Sequence, residues 1–328
     1  FEEPVRVRCT ISDGTASYSQ LVGRLFPSGT PLTGTIDADR TLTAAESPYV
    51  VSGDLTVAPG VTLSVEPAVT IQVRPDRATG EWTKRGIFVE GELVADGLLQ
   101  NPVLVRGGYS SDPDPGGGGT AQLRGIVLAE GGSESLSFVR VQEADIGLRI
   151  LSEVPSLIEF CNFTQCGTGV QVERGQGTTL QSVLFRDNSI GLQLNNATIA
   201  MEGGTFESCS AFGMSVDAAT ANTGLDLRGV TFSNNLQAHL RMAGEPGNLV
   251  TATVRGSNFE ERAGTSAINL ASNCSVYALD LRGNFWGRPV DDPAVIRDMF
   301  AGKQFCDAGV MDWTDFDCGV NPNPDDCD

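Results

Sequence analysis

Between residues 141 and 285 one apolar position returns at a nearly constant interval, and this recurrence restricts the fold more than any other feature of the chain. The position is held by Val141, Phe163, Phe185, Phe206, Phe232, Phe259 and Phe285, in steps of 22, 22, 21, 26, 27 and 26 residues. A small residue follows each of the first six by six to eight places: Gly147, Gly169, Gly191, Gly213, Ala238 and Ala267. Alternating triplets such as VQV (170–172) and LQL (192–194) come next. A second alternating run, such as LDLRGVTF (225–232), precedes each anchor. Fixed-period self-similarity of this length is the mark of a repeat architecture.

Each unit has room for two or three strands of three to five residues and none for a helix. Period-two alternation turns one side of every strand inward and the other outward. Strands this short cannot bury themselves as hairpins, and the Asn-Gly or Asp-Gly turns of antiparallel neighbours are missing. Stacking solves the problem: each strand pairs in parallel with its counterpart one coil away, about 4.8 Å distant. The expected fold is therefore an all-β parallel β-helix, or β-solenoid, with the anchor column as its inner wall. Gly169 and its equivalents read as bends before the next strand.

The preceding region fits the same scheme, with strands expected at 54–57, 61–65, 69–73, 86–89, 92–95 and 102–106. RPDRATGEWTKR (74–85) and GGYSSDPDPGGGG (107–119) read as projecting loops, because their Pro and Gly content suits neither strand nor helix. Trp82 and Tyr109 in these loops are the aromatics available for binding. About nine coils result, a stack of about 43 Å. Three segments follow: an N-terminal cap at 1–47, the stack at 48–287, and a C-terminal cap at 288–328. The last contains a short helix expected at 293–302 and a cysteine-rich acidic tail. Caps are needed because a stack leaves exposed strand edges at both ends.

Acidic residues outnumber basic ones 41 to 22, a net charge of −19. Such a surface repels nucleic acid and anionic membranes. No apolar run approaches the roughly 20 residues of a spanning helix. The opening FEEPVRVRCT suggests a mature or trimmed form, and 20 arginines against two lysines suggest a GC-rich bacterial genome. Eight cysteines without zinc-site spacing suit an oxidising compartment, so the expected location is secreted, cell-surface or periplasmic. Cys274 with Cys306, and Cys318 with Cys327, are the disulfide candidates; Cys161 and Cys166 form a further candidate pair.

The sequence resembles right-handed parallel β-helix repeat proteins of the pectate-lyase-like superfold across residues 48–287. The resemblance rests on GDLTVAPGVTLSVEPAVTIQV (53–73), the LRGI step at 123–126, the Phe-to-Gly coils, and GNFWG at 283–287. In proteins of this look the Asn-Phe-Trp-Gly element closes the last coil before a cap. The same superfold carries lyases, hydrolases, epimerases, adhesins and inert scaffolds, so it implies architecture and leaves activity open. Catalytic signatures of its enzymes are missing here. Asp291-Asp292 falls only in the cap, no Gly-His-Gly occurs, and Arg149-Ile150 is followed by Leu151.

Several side chains carry candidate chemistry. Cys166, Asn188, Cys209 and Asn235 share one coil position and read as a turn ladder, with the amides bonded to backbone. Cys166 and Cys209 lie two rungs apart, about 9.6 Å, beyond disulfide reach. His239, the one histidine, reads as an outward strand residue without a recognisable nucleophile. On the outer face Arg228 and Arg255, with Asp226 and Glu260, supply the ingredients of a lyase-like site, in which carboxylates hold Ca²⁺ and an arginine takes a proton. No metal site or cofactor is otherwise expected. The acidic tail offers only weak Ca²⁺ binding.

The function expected from the sequence is a non-enzymatic extracellular or cell-surface scaffold, or an adhesion or assembly module. Its partners would be proteins of a surface or envelope assembly, a glycan, or further copies of the chain. The alternative is a polysaccharide-active lyase or hydrolase with its site on one outer face.

Overall fold

The computed structural model describes residues 5–12, 17–25, 29–74, 84–107, 123–260, 265–272, 276–287, 300–302 and 311–312. Three parallel sheets run the length of the stack and contain ten, eleven and eleven strands. Sheet 1 begins at Thr30–Pro31, sheet 2 at Gly34–Ile36 and sheet 3 at Arg40–Leu42. Each later coil adds one strand to each in the same order, as Asn162–Thr164, Thr168–Glu173 and Gln176–Gln181 do, until the last described coil, which adds to sheets 2 and 3 alone. The chain is an all-β solenoid, and Ala44–Glu46 is a 3-10 turn. An antiparallel ribbon, Val5–Ser12 with Ser17–Leu25, lies outside the three sheets.

The stack begins earlier than position 48, because the first strand of every sheet lies within residues 30–42. At the other end Phe300–Gly302 pairs in parallel with Ser266–Leu270, so the last three residues of the expected helix are strand. Met311–Asp312 joins sheet 3 in the same way. The remainder of 293–302 lies outside the described residues, as do both expected loops apart from their edges.

Register explains the interval. Val105, Val141, Phe163, Phe185, Phe206, Phe232 and Phe259 are successive partners in sheet 1. From Phe163 onward their rings stack at centroid spacings of 5.7, 4.6, 4.9 and 4.9 Å, close to the distance between strands. The column then passes to Trp286, whose ring lies 4.7 Å from Phe259. Phe285, expected in this position, instead bridges to Asn258 and is half-buried. Alternation decides the point: Asn258 faces outward beside the inward Phe259, so its partner Phe285 is outward and Trp286 inward.

The glycine column does not bend the chain. Gly169 lies inside Thr168–Glu173 and Gly191 inside Ile190–Asn195. Each leaves room for a ring: a Cβ on Gly191 would meet Phe206 Cδ1 at 2.6 Å and the Gly213 carbonyl at 2.5 Å. The corners are made elsewhere, by residues in the left-handed region. Phe138, Phe160, Ser182, Gly203, Gly229, Gly256 and Gly283 turn the chain from sheet 3 to sheet 1. Glu143, Gln165, Asp187, Ser208 and Asn234 turn it from sheet 1 to sheet 2. Corner amides bond to the next coil, as Ser182 N–H does to the Glu202 carbonyl at 2.9 Å.

Candidate functional site

The turn ladder sits just past the Phe column, where the chain leaves sheet 1. Asn188 is buried; its Oδ1 accepts the Cys166 N–H at 2.8 Å and its Nδ2 donates to the Phe163 carbonyl at 2.9 Å. Asn235 repeats this one coil-pair later, with Cys209 N–H at 3.0 Å and the Phe206 carbonyl at 3.1 Å. Each amide thus satisfies one backbone donor and one acceptor of the preceding coil, which a buried corner otherwise leaves unpaired. Cys166 and Cys209 occupy the alternate rungs as free, buried thiols. Cys161, inward beside Phe163, is free as well, so the candidate Cys161–Cys166 bridge is absent. Burial pushes the Cys161 and Cys209 thiols up to about 12 and Cys166 up to about 11. Such thiols are poor nucleophiles. Cys274, Cys306, Cys318 and Cys327 lie outside the described residues.

His239 is inward and buried, contrary to the outward position read from sequence. Phe212 pairs with Ala238 and Met214 with Leu240, which puts His239, and not Ala238, opposite Gly213. Its Nδ1 lies 3.0 Å from Asn235 Nδ2 and its Nε2 2.8 Å from the Glu260 carbonyl. The amide can only donate and the carbonyl only accept, so the ring carries its proton on Nε2. Both nitrogens are occupied, in a site between Phe232 and Phe259.

The outer-face candidates cluster on sheet 3. Glu202, Arg228 and Arg255 are successive register partners, so the two guanidinium groups stand side by side one rung apart. Arg228 donates from Nε and Nη2 to Asp226 at 3.3 and 3.0 Å. Asp280 accepts from Arg255 and, at 2.9 Å through both oxygens, from Arg282. Hydrogen bonding to Arg282 and Arg255 lowers the Asp280 pKa from its ordinary carboxylate value. Asp226 acts on Arg228 in the opposite direction and raises its pKa. A proton-abstracting arginine must be reachable in its neutral form, and this pairing makes that form rarer.

Glu260 does not belong to the cluster. It follows Asn258–Phe259 on sheet 1, whereas Arg228 and Arg255 end strands of sheet 3. Among the other outward carboxylates, Glu207 accepts from Arg186 Nε at 2.7 Å on sheet 1, and Asp187 occupies a left-handed corner. Trp82 and Tyr109 lie outside the described residues. Among the described residues no group of three or more His, Cys, Asp or Glu side chains is placed to share a metal ion.

Sequence reasoning missed two inward groups. Asn284 accepts the Ser257 N–H at 3.0 Å and donates to the Val254 and Leu281 carbonyls at 2.7 Å, holding its corner to the preceding coil from inside. Glu134 is buried on sheet 3. For Asn284 the signal was its place two before Trp286, matching Ser257 before Phe259. Glu134 carried a weaker one, its even spacing with Leu136.

Three coaxial parallel sheets, one buried column shared by all coils and laddered corners define a parallel β-helix. The chain belongs to the family described as right handed beta helix region, whose model matches residues 122–285, half of its length. It is also similar to Protein bark beetle of Drosophila melanogaster, with 37% identity over 73 residues; these are 22% of this chain and 2% of that protein. The chain thus spans a small fraction of the relative's length. No solved structure matches it.

Proposed function

We propose that the chain is an extracellular or cell-surface β-solenoid acting as a scaffold or as an adhesion or assembly module. One observation carries this reading: the groups best suited to catalysis are held in structural bonds. Arg228 is tied to Asp226, Arg255 and Arg282 share Asp280, and both nitrogens of His239 are used inside the coil. What the molecule offers instead is a set of long, flat, continuous sheet faces carrying mixed charge. Such faces fit a binding partner read over several rungs, a protein of a surface assembly or a glycan. An oxidising location is the expectation carried by eight cysteines without zinc-site spacing.

A polysaccharide-active enzyme is the second reading, and the paired exposed arginines Arg228 and Arg255 beside Asp226 and Asp280 favour it. Incubating the full chain with a panel of polyuronates and neutral glycans, with and without Ca²⁺, separates the two. The scaffold reading expects retention of a partner from a native-host surface extract and no release of unsaturated or reducing ends. Product release that disappears in Arg228→Ala would overturn it.

A further inference from the structure

Among the described residues Glu134 is the one carboxyl buried in the interior of the stack. It lies in Ser133–Ser137 of sheet 3, between two neighbouring coils. On one side its register partner is Leu93; on the other, Ser135 pairs with Leu157 and so places Ser156 beside it. No well-formed hydrogen bond reaches either carboxyl oxygen or the Ser156 hydroxyl, although that hydroxyl lies close enough to act weakly on the carboxyl.

No cation faces it. The other inward groups of sheet 3 nearby are Ala95, Leu136 and Ile158; sheet 2 contributes Ile126, Leu128, Leu148 and Ile150. Among the inward residues of the same coils, sheet 1 has Val105, Val139, Val141 and Phe163, the corner before it Cys161, and the corner after sheet 2 Ser152. Cys161 is the titratable member of this set, and its thiol is neutral in the working range. By alternation Glu92, Asp96 and Glu159 on the adjoining strands face solvent; Glu130 and Glu153 lie in exposed turns.

We propose that Glu134 is a proton-operated latch: the stack closes around the neutral acid, taking up one proton to do so, and loosens at this coil when the proton leaves. An ionised carboxylate there would be buried among apolar side chains and serine hydroxyls with no charge to pair with, an environment that favours the protonated form. Burial pushes the group from 4.5 up to about 8, against a smaller opposing effect of the Ser156 hydroxyl. The folded value lies above the unfolded one. Its contribution to stability is therefore complete below 4.5 and is lost as pH rises to about 8, above which the loss levels off.

The test compares the full-length chain with Glu134→Gln, a neutral isostere, in denaturant unfolding across pH 5 to 9. The ratio of the wild-type unfolding constant to that of the variant should rise by about tenfold per pH unit and flatten near pH 8. Hydrogen exchange corrected for intrinsic rates should show residues 123–164 losing protection between pH 5 and pH 8 in wild type only, with no further loss above that. Parallel pH profiles for the two proteins would overturn the proposal. Should the variant not fold, infrared spectra of the wild type decide: a protonated-carboxyl carbonyl band at pH 7 that disappears by pH 9 supports the latch, and its absence at pH 7 refutes it.

Discussion

The rings of Phe185 and Phe206 lie face to face, 4.6 Å apart and within 3° of parallel, although 21 residues of chain separate them. Their spacing is that of the strands carrying them. A ring in this column is in contact above and below, and its energy belongs to three coils at once. Truncating Phe206 to Ala should therefore destabilise the stack by about 3–5 kcal/mol, with Phe206→Leu costing clearly less. Urea unfolding monitored by circular dichroism measures the difference. Equal losses for Ala and Leu would contradict a packed column.

Gly191 tests the same column from the adjoining sheet. An added Cβ would come within 2.5 Å of a backbone carbonyl, which cannot rotate away, and 2.6 Å of the Phe206 ring. Gly191→Ala should cost about 3 kcal/mol, the upper end of overpacking effects. Combining it with Phe206→Leu should recover part of the loss, because the two changes share one space. Simple additivity in a double-mutant cycle would show that the ring is not what excludes the methyl.

The buried thiols give a chemical readout. Cys161, Cys166 and Cys209 should resist alkylation at neutral pH while the protein is folded and react fully in denaturant, since burial keeps them protonated and covered. Peptide mapping after pulse labelling measures each separately. Rapid native labelling of Cys166 would show that the corner is open.

Asp280 predicts an acid-side effect. Its carboxyl is bound by Arg282 and Arg255, so the folded pKa lies below the ordinary 3.8. The associated stability is present above 3.8 and lost as pH falls toward the folded value. Asp280→Asn should therefore lower the melting temperature slightly at pH 7 and make its fall below pH 4 less steep. Both guanidinium partners are partly solvated, which keeps the effect modest. An unchanged acid limb would place the pair outside the folded energetics.

Much of this was legible in the chain itself. The anchors from Val141 to Phe259 are register partners because each belongs to a short strand whose own alternation already marks its inward side. The turn position of Asn188 and Asn235 was readable too, since the interval that places Phe163 also places the residue three beyond it. Two assignments failed by one residue. The offset of seven from Phe206 to Gly213 recurs from Phe232 to His239, and the step of 27 from Phe232 to Phe259 recurs from Phe259 to Trp286. Following residue type instead of offset chose Ala238 and Phe285.

What the sequence alone determined was the period, the shortness of the strands and the side of each that must be dry, because burial and a two-residue alternation act within a few residues of chain. Tertiary structure decided which coil meets which atom. It turned His239 into a bonded core residue, buried Glu134 without a charged partner, gave Asp280 to two arginines and sent Glu260 to another sheet. Those outcomes depend on how many residues each corner takes up before the next strand starts. Pairing between coils settles that number, and no single coil contains the information.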